Sequence, residues 1–427
     1  MPIYLGLGSN QGDRRGHLAH ALGQIAAQGV SILRVSPIVE SPALLPDDAL
    51  PEWNRPFLNL VAECSFTGEP EGLLGLLKNT EMRLGRVDAR RWSPRPIDID
   101  ILLWNNRSVS SRDLRIPHPA LGERAFFLSP LAALTPELCL PGAEGEPILR
   151  LARGLTEHIP FWMGIVNLTP DSFSDGGEFV AWPAIEAHID RMWEAGVHMI
   201  DFGAESTRPG ATTLDWTEEL RRLEPILERA LDKYSGHVLR PLISVDTYHV
   251  EVAKRAIGLG VDIINDVSGL TSPEMLSVAG ASRVDWVAMH HVSIPAEGGK
   301  TLPAGTNAVD QVRAWLEARL EAWSRAGMET RRIIFDPGIG FGKNQLQSLA
   351  LLRHIDRFHE YGLRLLVGHS RKSFLHGFSG GDNRHRDLTT IGASLRLCAS
   401  HVDILRVHNV PDHIAAHRGW SHLVSPA

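Results

Sequence analysis

Short apolar runs that stop abruptly at polar residues recur along the whole chain, and their arrangement changes near residue 158. In the first part, apolar runs predict strands and two amphipathic segments predict helices. The predicted strands are Ile3 to Leu7, about Ser31 to Val39, Phe57 to Phe66 and Asp98 to Leu103, and the predicted helices are about Arg14 to Ala27 and about Pro70 to Leu84. This order, βαββαβ, is typical of a ferredoxin-like α+β sheet with its helices on one face.

In the second part, strands alternate with helical patterns eight times. The predicted strands lie near Trp162 to Asn167, Met199 to Gly203, Leu242 to Asp246, Asp262 to Asp266, Trp286 to His290, Ile333 to Asp336, Arg364 to Gly368 and Ile404 to His408. Eight β/α units in roughly 250 residues predict a TIM (β/α)8 barrel. The chain is therefore expected to have two domains, 1–158 and 159–427, with the Pro- and Gly-rich segment from Pro136 to Gly154 as the link between them.

Composition narrows the classes of function. The 427 residues are 43% hydrophobic and 22% charged, with a formal net charge of -7, which argues against general nucleic-acid binding. The three cysteines have no metal or redox spacing, and no apolar run has the length of a membrane span. The start of the chain has no basic leader, so we expect a cytoplasmic protein that binds neither nucleic acid nor membrane.

The first candidate chemistry lies between Gly85 and Leu103. Asp98 and Asp100 are two positions apart in a strand, so they share a face, while Ile97, Ile99 and Ile101 point to the other. Two adjacent carboxylates of this kind suit Mg²⁺, and substrate phosphates complete its coordination. The alternative is that this face of the strand is simply solvated.

Basic and aromatic residues next to the pair favour the metal site. Arg86, Arg90, Arg91 and Arg95 surround Trp92, and His118, Arg124 and Phe126 follow. Several guanidiniums beside a metal pair are what a nucleotide triphosphate and its transition state need. Together they predict a phosphoryl-transfer site without a Walker loop.

The motifs GLGSN, FLN at Phe57 to Asn59, GR…RWSPRPIDIDIL and IPHP resemble hydroxymethyl-dihydropterin pyrophosphokinase over essentially the whole first unit. The resemblance implies transfer of a pyrophosphoryl group from ATP to a reduced pterin, with two Mg²⁺ bridged by Asp98 and Asp100. Asp88 stands where that family often has a basic residue. The implied catalytic residues are Arg86, Arg95, Asp98 and Asp100; the ATP residues are Arg91, Trp92, Arg95, His118 and Arg124; the pterin residues are Ser41, Pro42, Phe57, Asn59 and Phe126.

In the second unit, polar residues lie at or just after the end of every predicted strand. They are Asn167, Glu205 to Arg208, Asp246 and Thr247, Asn265 and Asp266, His290, Asp336, Ser370 to Lys372, and Arg406 to His408. Barrel enzymes keep their active sites at that end of the strands. A single aspartate there is more often a helix cap, but eight strands ending this way are hard to explain by capping.

Two motifs resemble those of other enzyme classes. Asp336 to Lys343, DPGIGFGK, lacks the first glycine of a phosphate loop, and Asn344 stands where Ser or Thr should follow. Gly368 to Lys372, GHSRK, has no closing glycine and so is not a nucleophile elbow. Neither motif predicts an NTPase or a hydrolase.

The blocks GIVNLTPDSFSDGG, DFGAESTRPGA, SVDT, INDVSG, DPGIGFGK, GHSRKSF and RVH resemble dihydropteroate synthase across the second unit. The resemblance implies condensation of a pterin pyrophosphate with p-aminobenzoate, and barrels of this family commonly form homodimers. Two alternatives are a pterin-binding methyltransferase, which has no leaving pyrophosphate to neutralise, and an inactive first unit that only supports the barrel. We expect no aldolase domain before Met1, so the pterin must be supplied.

The roles implied for the second unit are physically consistent. Carboxylates and amides deep in the barrel can orient the amino-pyrimidine edge of a pterin, and cations can take up the leaving-group charge, which allows a dissociative mechanism as a hypothesis. Ser172 to Gly177 suit a lid, and His291 and Asn409 depart from the family pattern. Pterin and pyrophosphate residues are Thr207, Arg208, Asp246, Asn265, Asp336, Lys372, Arg406, Val407 and His408, with Lys372 and Arg406 catalytic; p-aminobenzoate residues are Thr207, Arg208, Pro209, Phe341 and Ser370, beside Lys372; Asn167 is the Mg²⁺ residue.

Overall fold

The computed structural model describes residues 2–87, 90, 92–141, 145–168, 182–205, 213–297, 299–375 and 383–424. The chain folds into two compact units, a first built on Met1–Ile159 and a second built on Pro160–Ser235 and Pro241–Leu423. None of the described helices is long and apolar enough to cross a bilayer.

The first unit is an antiparallel sheet with helices. Its elements are β1 (Ile3–Ser9), α1 (Arg14–Ala27), β2 (Ser31–Val35), β3 (Val39–Ser41), β4 (Phe57–Ser65), α2 (Pro70–Arg83), β5 (Asp98–Trp104), β6 (Val109–Ser110), β7 (Arg115–Ile116), α3 (Ala125–Leu134) and α4 (Ile148–Gly154). The strand order β2-β4-β1-β5, antiparallel throughout, confirms the ferredoxin-like topology. The single run expected from Ser31 to Val39 is two strands, β2 and β3, which both pair with β4.

Both faces of this sheet are covered, whereas the sequence pattern predicted helices on one. Leu18 of α1 and Leu73 of α2 pack in one cluster with Leu5 of β1. The opposite face carries Tyr4 of β1, which packs with α3 and α4. The segment expected to be a link therefore contains α4, whose Ile148 is fully buried in the core of the first unit.

The second unit is a closed barrel of eight parallel strands in sequence order, as predicted. Its strands are β8 (Phe161–Asn167), β9 (Met199–Gly203), β10 (Leu242–Asp246), β11 (Ile263–Asp266), β12 (Asp285–Met289), β13 (Ile333–Asp336), β14 (Arg364–Gly368) and β15 (Ile404–Val407), and β15 pairs with β8 to close the barrel. Its helices are α5 (Trp182–Ala195), α6 (Trp216–Lys233), α7 (Val250–Leu259), α8 (Pro273–Ala281), α9 (Ala308–Arg325), α10 (Gln345–Arg353), α11 (Asn383–Cys398) and α12 (Val410–Val424). Apolar residues of strands and helices form one continuous core, which holds the carboxyl ends of the strands in place.

Candidate functional site

The two aspartates of the first unit lie on the face of β5 that lines a cavity. In the pairing of β1 with β5, Asp98 lies opposite Gly8 and Asp100 opposite Gly6. Ile99, between them, is fully buried on the other face. Strand alternation therefore places both carboxylates side by side at the cavity wall, where a shared ligand can reach them.

This cavity, of about 200 Å³, brings together most of the residues predicted for the first unit. Its lining is Gly6, Gly8, Ser41, Pro42, Ala43, Leu44, Leu45, Phe57, Asn59, Trp92, Arg95, Asp98, Asp100, Arg124, Phe126 and Phe127. All five predicted pterin residues are present, together with three of the predicted ATP residues. His118 is not part of this wall, and Arg91 and Asp88 lie outside the described residues.

Two glycines of the GLGSN motif make room for the cavity floor. A Cβ on Gly6 would lie 2.7 Å from the ring of Phe127, and a Cβ on Gly8 would lie 2.8 Å from Oδ1 of Asn59. Both distances are shorter than a normal contact, so a side chain at either position would displace Phe127 or Asn59 from the cavity wall. Asn10, at the end of the motif, accepts a hydrogen bond from the backbone N–H of Arg95 at 2.8 Å, which connects β1 to the arginine-bearing loop.

Asp98 is held by two arginines. Arg95 Nη1 lies 3.1 Å from Oδ2 of Asp98, and Arg86 Nη1 pairs with Oδ1. Burial opposes ionisation of Asp98, but Arg95 and Arg86 outweigh it and hold its pKa below the usual range. Arg86 also pairs with the buried Glu81, whose Oε1 accepts the backbone N–H of Ile99 at 2.7 Å. Glu81 is a positioning residue that was not predicted from the sequence.

Asp100 has a different environment. Burial, followed by the negative charge of Asp98, raises its pKa to about 6. Among the described residues it forms no ion pair within 4 Å, so its charge is left for a ligand. On the same cavity wall, the Arg124 guanidinium lies 5.6 Å from the ring centre of Phe126 and 5.5 Å from that of Phe127.

A second cleft, of about 370 Å³, adjoins the arginines. Its lining is Gln11, Gly85, Arg86, Val87, Arg90, Ser93, Pro94, Arg95 and Pro96. Arg86 and Arg95 therefore stand between this cleft and Asp98, an arrangement that suits an anionic group approaching the carboxylate pair. The nearby His118 ring is neutral because burial, with Arg124, lowers its pKa to about 4; Ala120 N–H donates to its Nδ1 at 3.2 Å.

The second site is the mouth of the barrel, where Arg406 binds two carboxylates. Arg406 Nε donates to Oδ2 of Asp201 at 2.6 Å, and its Nη2 donates to Oδ2 of Asp246 at 2.7 Å. Asp201 also accepts from Ser244 Oγ at 2.6 Å and from Asn265 Nδ2 at 3.0 Å. The predicted residues Asp246, Asn265 and Arg406 are therefore linked through Asp201, which was not predicted from the sequence. The available signal was a charged residue within an otherwise apolar strand.

Burial dominates the acid–base behaviour of this mouth. It raises the pKa of Asp246 to about 7, with Asp201 and Asp266 adding to the shift and Arg406 opposing it. Burial also raises the pKa of Asp266 to about 6. It raises the pKa of Asp336 as well, although the charge of Lys372 opposes that shift. Carboxyl groups that approach neutrality near physiological pH are common at binding sites.

Lys372 lies on the side of the mouth formed by the β13 and β14 loops. Its Nζ donates to the carbonyl of Ile339 and lies 4.7 Å from the ring centre of Phe341. Burial lowers its pKa to about 8, with the Asp336 charge opposing the shift. The predicted residues Lys372, Phe341 and Asp336 are thus neighbours.

The DPGIGFGK motif is explained by a buried lysine. Lys343 Nζ donates to the carbonyls of His290, Gly338 and Phe341 at 2.9, 2.8 and 3.1 Å. A Cβ on Gly338 would lie 1.8 Å from the His290 carbonyl oxygen, so the loop needs glycine there. The lysine thus cross-links the loops after β12 and β13 through their backbone carbonyls.

The remaining predicted residues fall into four groups. Ser370 Oγ bonds to His408, at 3.0 Å from Nδ1 and 3.3 Å from the backbone N–H. Val407 is fully buried in the hydrophobic core, so only its backbone is available beside Arg406. Asn167 ends β8, as expected. Thr207, Arg208, Pro209 and the loop from Ser172 to Gly177 lie outside the described residues.

Family models match both units. Residues 4–136 match the 7,8-dihydro-6-hydroxymethylpterin-pyrophosphokinase family, and residues 163–408 match the family of pterin binding enzymes. The folate synthesis bifunctional protein of Chlamydia caviae is 37% identical over 425 residues, covering 96% of this chain and 95% of that protein.

Solved structures resemble the second unit. The dihydropteroate synthase of Xanthomonas albilineans with 4-aminobenzoic acid is 37% identical, with a TM-score of 0.57, over 63% of this chain and 94% of that one. The dihydropteroate synthase of Anaplasma phagocytophilum with bound 6-hydroxymethylpterin-monophosphate is 30% identical, with a TM-score of 0.56, over 62% and 99%. The chain therefore belongs to the family of bifunctional folate synthesis proteins and is a transferase with a pyrophosphokinase unit and a dihydropteroate synthase barrel.

Proposed function

We propose that the first unit transfers a pyrophosphoryl group from ATP to hydroxymethyl-dihydropterin in the cavity bounded by Asp98 and Asp100. Phe57, Phe126 and Asn59 line that cavity and offer rings and an amide to a flat, polar heterocycle. The arginines of the adjoining cleft, Arg86 and Arg95, take the phosphate charge. The remaining residues with an ATP role are Arg91, Trp92, His118 and Arg124.

Mg²⁺ fits the donors present in the first unit. Asp98 and Asp100 offer hard carboxylate oxygens on one strand face, and no ion pair within 4 Å among the described residues includes Asp100. Bound there, Mg²⁺ would neutralise the phosphates during transfer. Arg86 and Arg95 hold Asp98 in place and remain on the side from which the anion arrives.

We also propose that the barrel condenses the resulting pterin pyrophosphate with p-aminobenzoate. The observation that carries it is the linked set of Arg406, Asp201, Asp246 and Asn265 at the carboxyl end of the strands. Its carboxyl and amide groups match the donors and acceptors of a pterin edge, and Asp336 and Lys372 adjoin it.

The other roles proposed for the barrel are those that the resemblance to dihydropteroate synthase implies. Arg406, His408 and Arg208 stabilise the leaving pyrophosphate, with Asn167 contributing to Mg²⁺ binding. Residues proposed to hold p-aminobenzoate are Thr207, Arg208, Pro209, Phe341, Ser370 and Lys372. We further propose division of the two activities at residues 158 and 159, a homodimer through the barrel, and a cytoplasmic location.

The test is formation of dihydropteroate from hydroxymethyl-dihydropterin, ATP, Mg²⁺ and p-aminobenzoate by the purified chain, with the pterin pyrophosphate followed in the same samples. Asp100→Asn should stop formation of the pyrophosphate, and added pterin pyrophosphate should restore the product. Lys372→Met should let the pyrophosphate accumulate without product. If pterin pyrophosphate and p-aminobenzoate give no product with the unaltered chain, the role proposed for the barrel is wrong.

A further inference from the structure

A cluster of two carboxylates and one imidazole lies at the barrel mouth among residues that have no role in the reactions above. It consists of Glu205, just after β9, Glu219, in the first turn of α6, and His249, just before α7. The Glu219 side chain is fully buried, that of Glu205 is 5% exposed, and that of His249 is 21% exposed. One ligand atom from each residue lies within 4.8 Å of the others.

Each residue of this cluster presents one atom that has no hydrogen-bond partner among the described residues. These atoms are Oε2 of Glu205, Oε1 of Glu219 and Nε2 of His249. His249 Nε2 is 3.4 Å from Glu205 Oε2, but the two are not aligned for a hydrogen bond. Buried polar atoms that lack partners are costly, so their convergence indicates a ligand.

The other carboxylate oxygens are held firmly. Glu205 Oε1 accepts from the hydroxyl of Tyr248 at 2.7 Å and from the backbone N–H of Leu214 at 3.1 Å. Glu219 Oε2 accepts from Oγ1 of Thr247 at 3.2 Å. Neighbours that orient ligating side chains in this way are typical of protein metal sites.

Charge points to a cation. No lysine or arginine in the described part of the chain lies within ion-pair distance of Glu205 or Glu219, whose only partner of that kind is His249. Two buried carboxyl groups beside one imidazole, with no cationic side chain to pair with among the described residues, form a group of ligands whose ionised form a divalent cation would stabilise.

The chemical type of the three ligands selects among cations, and their spacing is compatible with that selection. Tetrahedral Zn²⁺ with ligands at about 2.1 Å separates them from one another by about 3.4 Å. His249 Nε2 is 3.4 Å from the unpartnered Oε2 of Glu205, and it is 3.8 Å from Glu219 Oε2, the oxygen that also accepts from Thr247. Mg²⁺ prefers oxygen ligands in an octahedron, whereas an imidazole nitrogen suits Zn²⁺. We propose that Glu205, Glu219 and His249 form a zinc site, with water as the fourth ligand.

The site has a structural consequence for the barrel mouth. Glu205 precedes residues 206–212 and Leu214 follows them, and the two are already joined by a hydrogen bond. A cation on Glu205 would fix this junction to α6 and to the loop after β10.

The experiment is a zinc titration of the full, chelator-treated chain against a chromophoric zinc indicator, in excess Mg²⁺ to occupy the kinase site. His249→Lys replaces the ligand with a fixed ammonium cation and should remove one tight zinc equivalent. His20→Lys, on the exposed face of α1, makes the same chemical change far from the cluster in sequence and should leave zinc binding unaltered. Tyr248→Phe should weaken zinc binding on the order of 10- to 100-fold, because it removes the donor to Glu205.

Cobalt substitution supplies a spectroscopic readout, since a tetrahedral site gives intense visible bands that His249→Lys should abolish. Glu219→Gln should give the same loss and serves if His249→Lys does not fold. Equal zinc affinity in the wild type, His249→Lys and Glu219→Gln would overturn the proposal, as would octahedral cobalt spectra. Weak binding that is the same in all variants would assign the metal to surface histidines and also reject the site.

Discussion

Replacing Asp201 with asparagine removes one negative charge from the centre of the barrel site with little change in shape. The Asp201 side chain is fully buried and accepts hydrogen bonds from Arg406, Ser244 and Asn265. Asparagine can keep an oxygen toward Arg406 and Asn265, and the Ser244 hydroxyl can reverse its role to accept from the new amide. The substitution therefore isolates the charge of the pair.

The size of the effect follows from burial. Breaking a buried ion pair by removing one partner costs about 3 to 5 kcal/mol, because the remaining charge is left uncompensated. Arg406 keeps Asp246 at 2.7 Å, so we expect the lower end, about 3 kcal/mol. For a unit of this size that corresponds to a fall in the barrel's Tm of about 6 to 12 °C. Because Arg406 loses one of its two anchors, dihydropteroate formation should slow on the order of tenfold or more.

Differential scanning calorimetry and steady-state kinetics test both parts. Glu224→Gln is the matched control, since it breaks a surface pair with Arg255 in the same unit and should cost less than about 1 kcal/mol. Formation of the pterin pyrophosphate should be unchanged in both variants. A loss below about 1 kcal/mol for Asp201→Asn would show that Asp246 alone compensates Arg406, and the reasoning would fail.

Three further changes have defined outcomes. Lys343→Met removes the side-chain donor to three carbonyls, of which only that of Gly338 keeps a backbone donor, Phe341 N–H, among the described residues; it should lower the free energy of unfolding by about 2 to 4 kcal/mol, measured by urea denaturation. Burial lowers the pKa of His369 to about 3, whereas the same histidine in the unfolded chain has a pKa of about 6.5. Between these two values the unfolded chain binds more protons, so the free energy of unfolding should fall as the pH is lowered from 6.5 toward 3. The fall should be less steep in His369→Gln. Gly6→Ala should push the Phe127 ring into the cavity and raise the pterin KM of the kinase step, whereas Gly23→Ala, with open space around it, should not.

The sequence predicted the strands well because each apolar run ends at a polar residue. The predicted barrel strand Leu242 to Asp246 matches β10, and Arg364 to Gly368 matches β14, with identical bounds. A buried parallel strand is mostly apolar before it reaches the mouth, so a change in composition marks its end. The same logic predicted a link from Pro136 to Gly154, where Pro and Gly concealed the short helix α4.

The missed site residues share a different property, in that each acts through a partner distant in sequence. Asp201 lies inside an apolar strand, and its partner Arg406 is 205 residues away. Glu81 looks like one more surface acid of a helix, yet it is buried and fixes Arg86 and the backbone of Ile99. The periodicity of apolar residues indicates which face of a strand or helix a residue occupies. It does not indicate which residue of another element contacts it, so tertiary pairs of this kind cannot be predicted from the pattern.

The motif that contains Lys343 was correctly excluded as a phosphate loop, but its structural role was not predicted from the sequence. The spacing of DPGIGFGK excluded a phosphate loop, but gave no reason for a lysine after three glycines. Gly338, with φ of 66°, turns the chain back against the His290 carbonyl, and Lys343 then finds its acceptors on three backbone oxygens. Burial lowers the pKa of Lys343 well below its usual value, and it is the contacts of Nζ with these carbonyls that define its role in the loop. A phosphate loop and this loop both need tight turns, which glycine allows, and a long side-chain donor, which lysine supplies. The acceptor is a phosphate in the first and the protein's own backbone in the second.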